Sequence, residues 1–110
     1  MHVLDLLPEG SIGRHVDHVE YSGQYILGLS LASHAVMRLL HQSSDRTCEL
    51  LLPRRSLYLL HGPARYEWAH EVPAQPAFEG RALPPKGRRV SLLLRDRNEA
   101  DAAPAETTRV

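Results

Sequence analysis

Two positions apart, His15 and Asp17 offer an imidazole nitrogen and a carboxylate oxygen. On a β-strand, successive side chains point to opposite faces, so residues at i and i+2 project side by side. A second imidazole, His70, lies far downstream and could close the set from a neighbouring strand. Two imidazoles and one carboxylate on one face of a metal leave coordination positions free opposite. That is the facial pattern suited to Fe(II) and oxygen chemistry. The His-x-Asp spelling is a weak signal alone, because most histidines are surface or satisfied core residues. The remaining histidines, His2, His18, His34, His41 and His61, are assigned no role.

A second chemical feature is the run from Arg89 to Arg95. In a strand, Arg89, Ser91, Leu93 and Arg95 share one face, and Val90, Leu92 and Leu94 share the other. Arginines facing inward are costly unless each meets an anion. Guanidinium pairs with carboxylate in a planar, two-pronged fashion, so a small dicarboxylate would suit both. The two lie roughly 20 Å apart along the strand, so both must lean inward to share one ligand. The plainer alternative is a solvated edge strand. Tyr58 sits among leucines and needs a partner for its hydroxyl if buried, and it could donate to the carboxylate that Arg89 holds.

These residues must be placed by a small scaffold. The chain has 110 residues, enough for one domain that buries roughly two-thirds of its unfolded surface. Thirteen basic and thirteen acidic side chains cancel, which argues against a dominant attraction to nucleic acid. The single cysteine, Cys48, excludes an internal disulfide and fits a reducing compartment. No apolar run approaches the roughly 18 residues of a membrane span. No signal peptide or Arg/Ser-rich transit segment is visible. The chain opens at once on a strand-like run, so a missing upstream region is expected.

Strands are expected at His2–Leu7, Ser11–Glu20, Gln24–Leu31, Ala35–His41, Thr47–Leu52, Ser56–Leu60, Tyr66–His70 and Arg88–Arg95. Gly28 interrupts the third and marks a bulge or a close backbone approach. Tyr66, Trp68 and His70 would share one face of the seventh, with Trp68 as core or as a wall of the substrate space. The stretch Val72–Gly87 has four prolines and two glycines and reads as a long, functional or mobile loop that could gate the pocket. Residues 96–110 are polar, Ala-rich and without period, and read as a disordered tail. About eight short strands with Gly/Pro turns and no long helix suggest an all-β double-sheet jelly roll over residues 1–95.

Taken together, His-x-Asp, a distant His and an Arg-x5-Arg run resemble the C-terminal catalytic core of the AlkB family. The stretches that carry the likeness include Val3–Leu6, His15–Asp17, Gly28–Leu31, Val36–Leu39, Glu49–Leu52, Ser56–Tyr58, Ala64–Tyr66, His70-Glu71 and Gly87–Ser91. They fall in order over about residues 3–95, and the match is closest to the branch called AlkB homologue seven. The resemblance implies an Fe(II)- and 2-oxoglutarate-dependent dioxygenase on a double-stranded β-helix, a jelly-roll variant. It implies iron on His15, Asp17 and His70, the distal carboxylate of 2-oxoglutarate on Arg89 beside Tyr58, and Arg95 near the iron-chelating end. Ser91 stands where many members have asparagine. Leu4 and Leu6 stand where DNA-repair members have an Asn and a Tyr, and the upstream lid that grips nucleotides in those members is expected to be missing. The branch resembled is mitochondrial, which implies a mitochondrial setting.

Three readings follow. The first is hydroxylation or oxidative demethylation of an unknown substrate, protein or RNA among the possibilities, with 2-oxoglutarate and O2 as co-substrates. The second is a non-catalytic or truncated jelly-roll relative that acts as a binding or scaffold module. The third, a zinc hydrolase on the same ligands, ranks last: no glutamate stands out as a general base, and it leaves Arg89 and Arg95 unexplained.

Overall fold

A computed structural model of the chain describes residues 1–17, 22–96 and 106–110. Its elements are β1 (His2–Leu6), β2 (Ile12–His15), β3 (Ile26–Leu31), β4 (Ala35–His41), β5 (Thr47–Leu52), β6 (Ser56–Leu60), α1 (Pro63–Tyr66), β7 (Trp68–Val72), β8 (Ala77–Phe78), β9 (Arg81–Ala82), β10 (Arg89–Arg95) and β11 (Glu106–Arg109). One sheet has the order β11-β1-β10-β3-β6 and a second the order β2-β7-β4-β5. Consecutive strands repeatedly change sheet, as in a jelly roll, so each sheet is assembled from distant stretches. The all-β expectation holds. Leu6, Ala35 and Val72, one from each of β1, β4 and β7, form a buried apolar cluster with Ile12 packed against it.

The larger sheet has an unusual polarity. On β3 the buried residues are Ile26, Gly28 and Ser30, while Leu27, Leu29 and Leu31 are only half-buried. In register, Leu29 lies between Leu92 and Leu57, and Leu27 between Leu94 and Leu59. Leu57 is 64% exposed and Leu94 49%. Leu27, Leu29, Leu57 and Leu94 therefore lie on the outer face, and the inner face carries Arg89, Ser91, Ser30 and Tyr58 beside Leu4, Ile26, Leu60 and Leu93. A buried polar face is the informative departure from the usual pattern.

Several sequence expectations are corrected. The strand expected over Ser11–Glu20 ends at His15, with a register shift against β7 between Ile12 and His15; residues 18–20 lie outside the described residues. Tyr66 belongs to α1, not to β7. Pro63 follows the left-handed Gly62 (φ 57°) and starts a single helical turn there. The stretch Val72–Gly87 is not a featureless loop. It contains the hairpin β8–β9, turning through Glu79 and Gly80, both at positive φ as a type I′ turn requires. The hairpin is tied to the body by Glu79 N–H donating to Glu49 Oε1 (3.1 Å), and the segment after it by Lys86 Nζ donating to the carbonyls of Leu7 and Pro8 (both 2.8 Å).

The proposed tail is also revised where it is described. Residues 97–105 lie outside the described residues, but Glu106–Arg109 pairs in parallel with β1. Asp5 supplies the physical reason. Its carboxylate accepts two bonds from Arg88 (2.8 and 2.9 Å) and one from Arg109 (2.9 Å). The bond to Arg88, against the opposing effect of burial and with help from Arg109, holds its pKa down at about 2.

Candidate active site

His15 and His70 sit directly opposite each other on β2 and β7, with ring centroids 4.2 Å apart. Asp17 lies just past the end of β2, and its Oδ1 is 3.4 Å from His15 Nε2. One ligand atom from each of the three residues falls within 4.8 Å of the others. The triad read from the sequence is thus brought together, although not by a shared strand face. The ladder carries His15 and His70, and Asp17 lies on the chain just beyond the end of β2.

The protonation pattern suits a cation. His15 Nδ1 is 2.8 Å from the carbonyl of Gly13. A carbonyl only accepts, so Nδ1 carries a proton, and in the neutral ring Nε2, on the side of Asp17, is the nitrogen with the lone pair. In the protonated ring Nε2–H donates to Asp17, and this bond, opposed by burial and aided by the carbonyl of Gly13, raises the His15 pKa. Burial, with the nearby charges of His15 and Arg65, pushes His70 down to about 4, so it is neutral at physiological pH. Burial acts to raise Asp17, but its bond to His15 and the charges of His70 and Arg95 outweigh that and leave its pKa lowered. A carboxylate beside an imidazole kept neutral is the state in which both can ligate a metal.

The triad lines a cavity of about 270 Å³ between the two sheets, together with Tyr58, Arg89, Ser91 and Arg95. Arg89 is 1% exposed. Its Nε donates to Ser30 Oγ (2.8 Å), and the guanidinium is hydrogen-bonded to the Tyr58 hydroxyl. Arg89 Nη2 and Arg95 Nε are buried without a partner among the described residues. An unsatisfied N–H on a buried cation carries a penalty that an anionic oxygen removes. The residues therefore fit both expected guests: a divalent ion on the triad and a carboxylate against Arg89. The pocket is largely apolar elsewhere, with Leu4, Met37 and Leu93 on its walls.

Other expectations fall outside this pocket. Trp68 turns to His41 (ring centroids 5.0 Å, edge-on) and Arg46 and does not line the cavity. Of the stretch Val72–Gly87, Val72, the last residue of β7, lines the cavity. Two contributors, Ser30 and Arg65, had no assigned role in the sequence, and a third, Gly28, was read there only as a bulge or a close approach. Ser30 holds Arg89. Gly28, directly opposite Tyr58, leaves room for the phenol ring against the β3 backbone. Arg65, 2% exposed, donates to the main-chain carbonyl of Asp17. Arg65 was visible as an arginine just after the Gly62-Pro63 turn. Its partners were not, because they lie more than 40 positions away.

Comparison with known proteins gives a consistent result. The model of the 2OG-Fe(II) oxygenase superfamily matches residues 7–95. The chain is 47% identical over 97 residues to the mitochondrial alpha-ketoglutarate-dependent dioxygenase alkB homolog 7 of Bos taurus. It has the same identity, over the same length, to the Mus musculus protein of that name. These alignments take in 86% of this chain and 44% of each relative, so the chain spans less than half of their length. A Caenorhabditis elegans DNA N6-methyl adenine demethylase is 27% identical over 88 residues, 80% of this chain and 28% of that protein.

Proposed function

This chain belongs to the 2OG-Fe(II) oxygenase superfamily, in its AlkB family, and from that premise we propose that it is the core of an Fe(II)- and 2-oxoglutarate-dependent dioxygenase. The observation that carries the reading is one cavity with two complementary ends: a His/Asp/His donor set, and a buried arginine with an unsatisfied N–H. His15 Nε2, Asp17 and His70 would hold the iron. Arg89 and the Tyr58 hydroxyl would hold the distal carboxylate of 2-oxoglutarate, with Arg95 towards its keto acid end. Iron held there would supply the oxidation of a substrate C–H bond, with 2-oxoglutarate and O2 as co-substrates.

The protein's own part is geometric. Gly13 fixes the His15 tautomer, which leaves one nitrogen free. Ser30 and Tyr58 hold the Arg89 fork in place before any ligand arrives. Leu4 and Met37 keep that part of the pocket apolar, which strengthens each charged contact within it. Oxidation of an alkyl C–H would leave a hydroxylated product, and oxidation of an N-methyl group would end in demethylation and release of formaldehyde. The names of the bovine and mouse relatives support a mitochondrial setting. Among the described residues, no helix is long and apolar enough to cross a membrane.

The test is anaerobic addition of Fe(II) and 2-oxoglutarate to the purified chain, followed by admission of O2. A visible charge-transfer band that Asp17→Ala abolishes, followed by succinate release, is expected. A folded, iron-replete chain without the band would defeat the reading. A band without succinate above background would leave a binding module in place of an enzyme.

A further inference from the structure

Asp17 is the one ligand that no β-ladder holds. β2 ends at His15, two residues earlier. What its main chain has instead is Arg65. This side chain is 2% exposed, and its three nitrogens all reach backbone carbonyls: Nη1 to Asp17 O (2.8 Å), Nε to Gly23 O (3.1 Å) and Nη2 to Ser22 O (3.4 Å). The stem leaves α1, where the Arg65 guanidinium also lies over the ring of Tyr66 (4.8 Å). Two features make α1 a rigid platform. Gly62 takes the left-handed turn before it, and the N–H groups of Arg65 and Tyr66 return to the Gly62 carbonyl (3.0 and 3.1 Å). β7 begins two residues after α1 ends, and it delivers His70.

We propose that Arg65 is a positioning residue for the metal: by holding the Asp17 carbonyl, it aims the Asp17 carboxylate at the two imidazoles before an ion binds. The inference rests on the reading of His15, Asp17 and His70 as ligands. One short stretch, residues 62–70, then sets two of the three ligands, His70 through the ladder and Asp17 through the guanidinium. A charge-assisted bond is suited to this task because it is short and directional, and the planar fork of arginine can serve several carbonyls at once. Groups that orient a ligand without touching the ion typically change metal affinity by roughly tenfold to a hundredfold when removed.

The experiment is a Co(II) titration of the metal-free chain, read by visible absorption, with no turnover involved. Wild type, Asp17→Ala, Arg65→Gln, Arg65→Lys and Leu52→Val are compared, with the thermal midpoint of each metal-free protein measured in parallel. Leu52 is buried on β5, remote from the ligands, and its variant shows what general destabilisation does to the titration. Arg65→Gln is expected to weaken Co(II) by roughly tenfold or more and to alter the ligand-field band. Arg65→Lys, which keeps the cation on a single donor nitrogen, should recover part of the affinity. Leu52→Val should bind as wild type does.

Wild-type affinity and spectrum in both Arg65 variants would overturn the proposal. So would an equal loss of affinity in Leu52→Val at a matched midpoint. Failure of Arg65→Lys to fold at saturating Co(II) would assign Arg65 to folding and also overturn it. Unchanged binding in Asp17→Ala is a separate result, because it removes the ligand assignment itself.

Discussion

Replacing Gly28 by alanine sets a methyl group against a phenol ring. Gly28 on β3 is directly opposite Tyr58 on β6. A Cβ built there would meet Cζ, Cε1 and Oη of Tyr58, the last at 2.5 Å, well inside contact distance. Relief has two routes. The strands can part, or the ring can leave. Overpacking of this kind typically costs about 1–3 kcal/mol. Against it stands a gain of about 0.5–1 kcal/mol, because alanine loses less backbone freedom than glycine in a strand. The net expectation is a destabilisation of about 1–2 kcal/mol, or a fall of roughly 5–10 °C in Tm for a domain of this size.

If the ring moves, the hydroxyl leaves Arg89. A hydrogen bond to a charged group is worth about 1.5–3 kcal/mol, so 2-oxoglutarate affinity should fall by about tenfold to a hundredfold. The assays are thermal melts and 2-oxoglutarate titration of Gly28→Ala, Tyr58→Leu and the double variant. In the double variant the clash is absent, so its stability should exceed the sum of the single effects by about 1–2 kcal/mol, while binding stays weak. A Gly28→Ala chain as stable as wild type, with wild-type affinity, would refute the claim that this glycine makes space for Tyr58.

Three further outcomes are expected. Arg89→Met should leave the ligand-free chain close to wild-type stability, because a buried cation with an unsatisfied N–H is exchanged for an apolar side chain; the rise in Tm that saturating 2-oxoglutarate gives wild type should vanish in this variant, and persistence of that shift would remove Arg89 from the binding site. Asp5 has a folded pKa of about 2, below its ordinary 3.8, so its contribution to stability is fully present above about pH 4 and is lost as pH falls through 2. Urea midpoints measured between pH 5 and about pH 2 should show that loss, and Asp5→Asn should flatten the profile over the same window. Finally, Arg88→Ala should raise the Asp5 pKa more than Arg109→Ala does, since the bond to Arg88 is the larger cause; NMR titration of the Asp5 carboxyl would show the reverse order if β11, and not β10's neighbour, dominated.

Much of the site was legible because its signals are local. His15 and Asp17 are two apart, and the alternation from Arg89 to Arg95 places both arginines on one face whatever the strand pairs with. Even there the local reason was incomplete. The i, i+2 rule places Asp17 on a strand that has already ended, and the residue that holds its carbonyl comes from α1. Gly28 was recognisable as a close approach, but that Tyr58 is what approaches depends on the β3–β6 register, which no single stretch contains. The hairpin at 77–82 has strands of two residues, too short to show a period, and its only cue is a glycine after Glu79. Glu106–Arg109 has only Thr107 and Thr108 as strand-forming residues. Its pairing is parallel and about a hundred positions distant in sequence, so composition pointed the wrong way.

The two buried arginines of the site illustrate how such residues can be told apart. Both are almost wholly excluded from water, and by burial alone they are equivalent. Their donors separate them. Arg65 directs each of its three nitrogens at a main-chain carbonyl, so its directional bonding is satisfied by the fold itself. Arg89 binds Ser30 and Tyr58 and still has Nη2 unpaired among the described residues, on the wall of a cavity. A buried, unpaired donor is a standing cost that folding alone does not recover. Selection for stability would remove it by exchange for an apolar residue, so its presence points to a ligand that completes the set. Arg65 is thus the residue whose loss should act through Asp17, and Arg89 the one whose loss should act on 2-oxoglutarate directly.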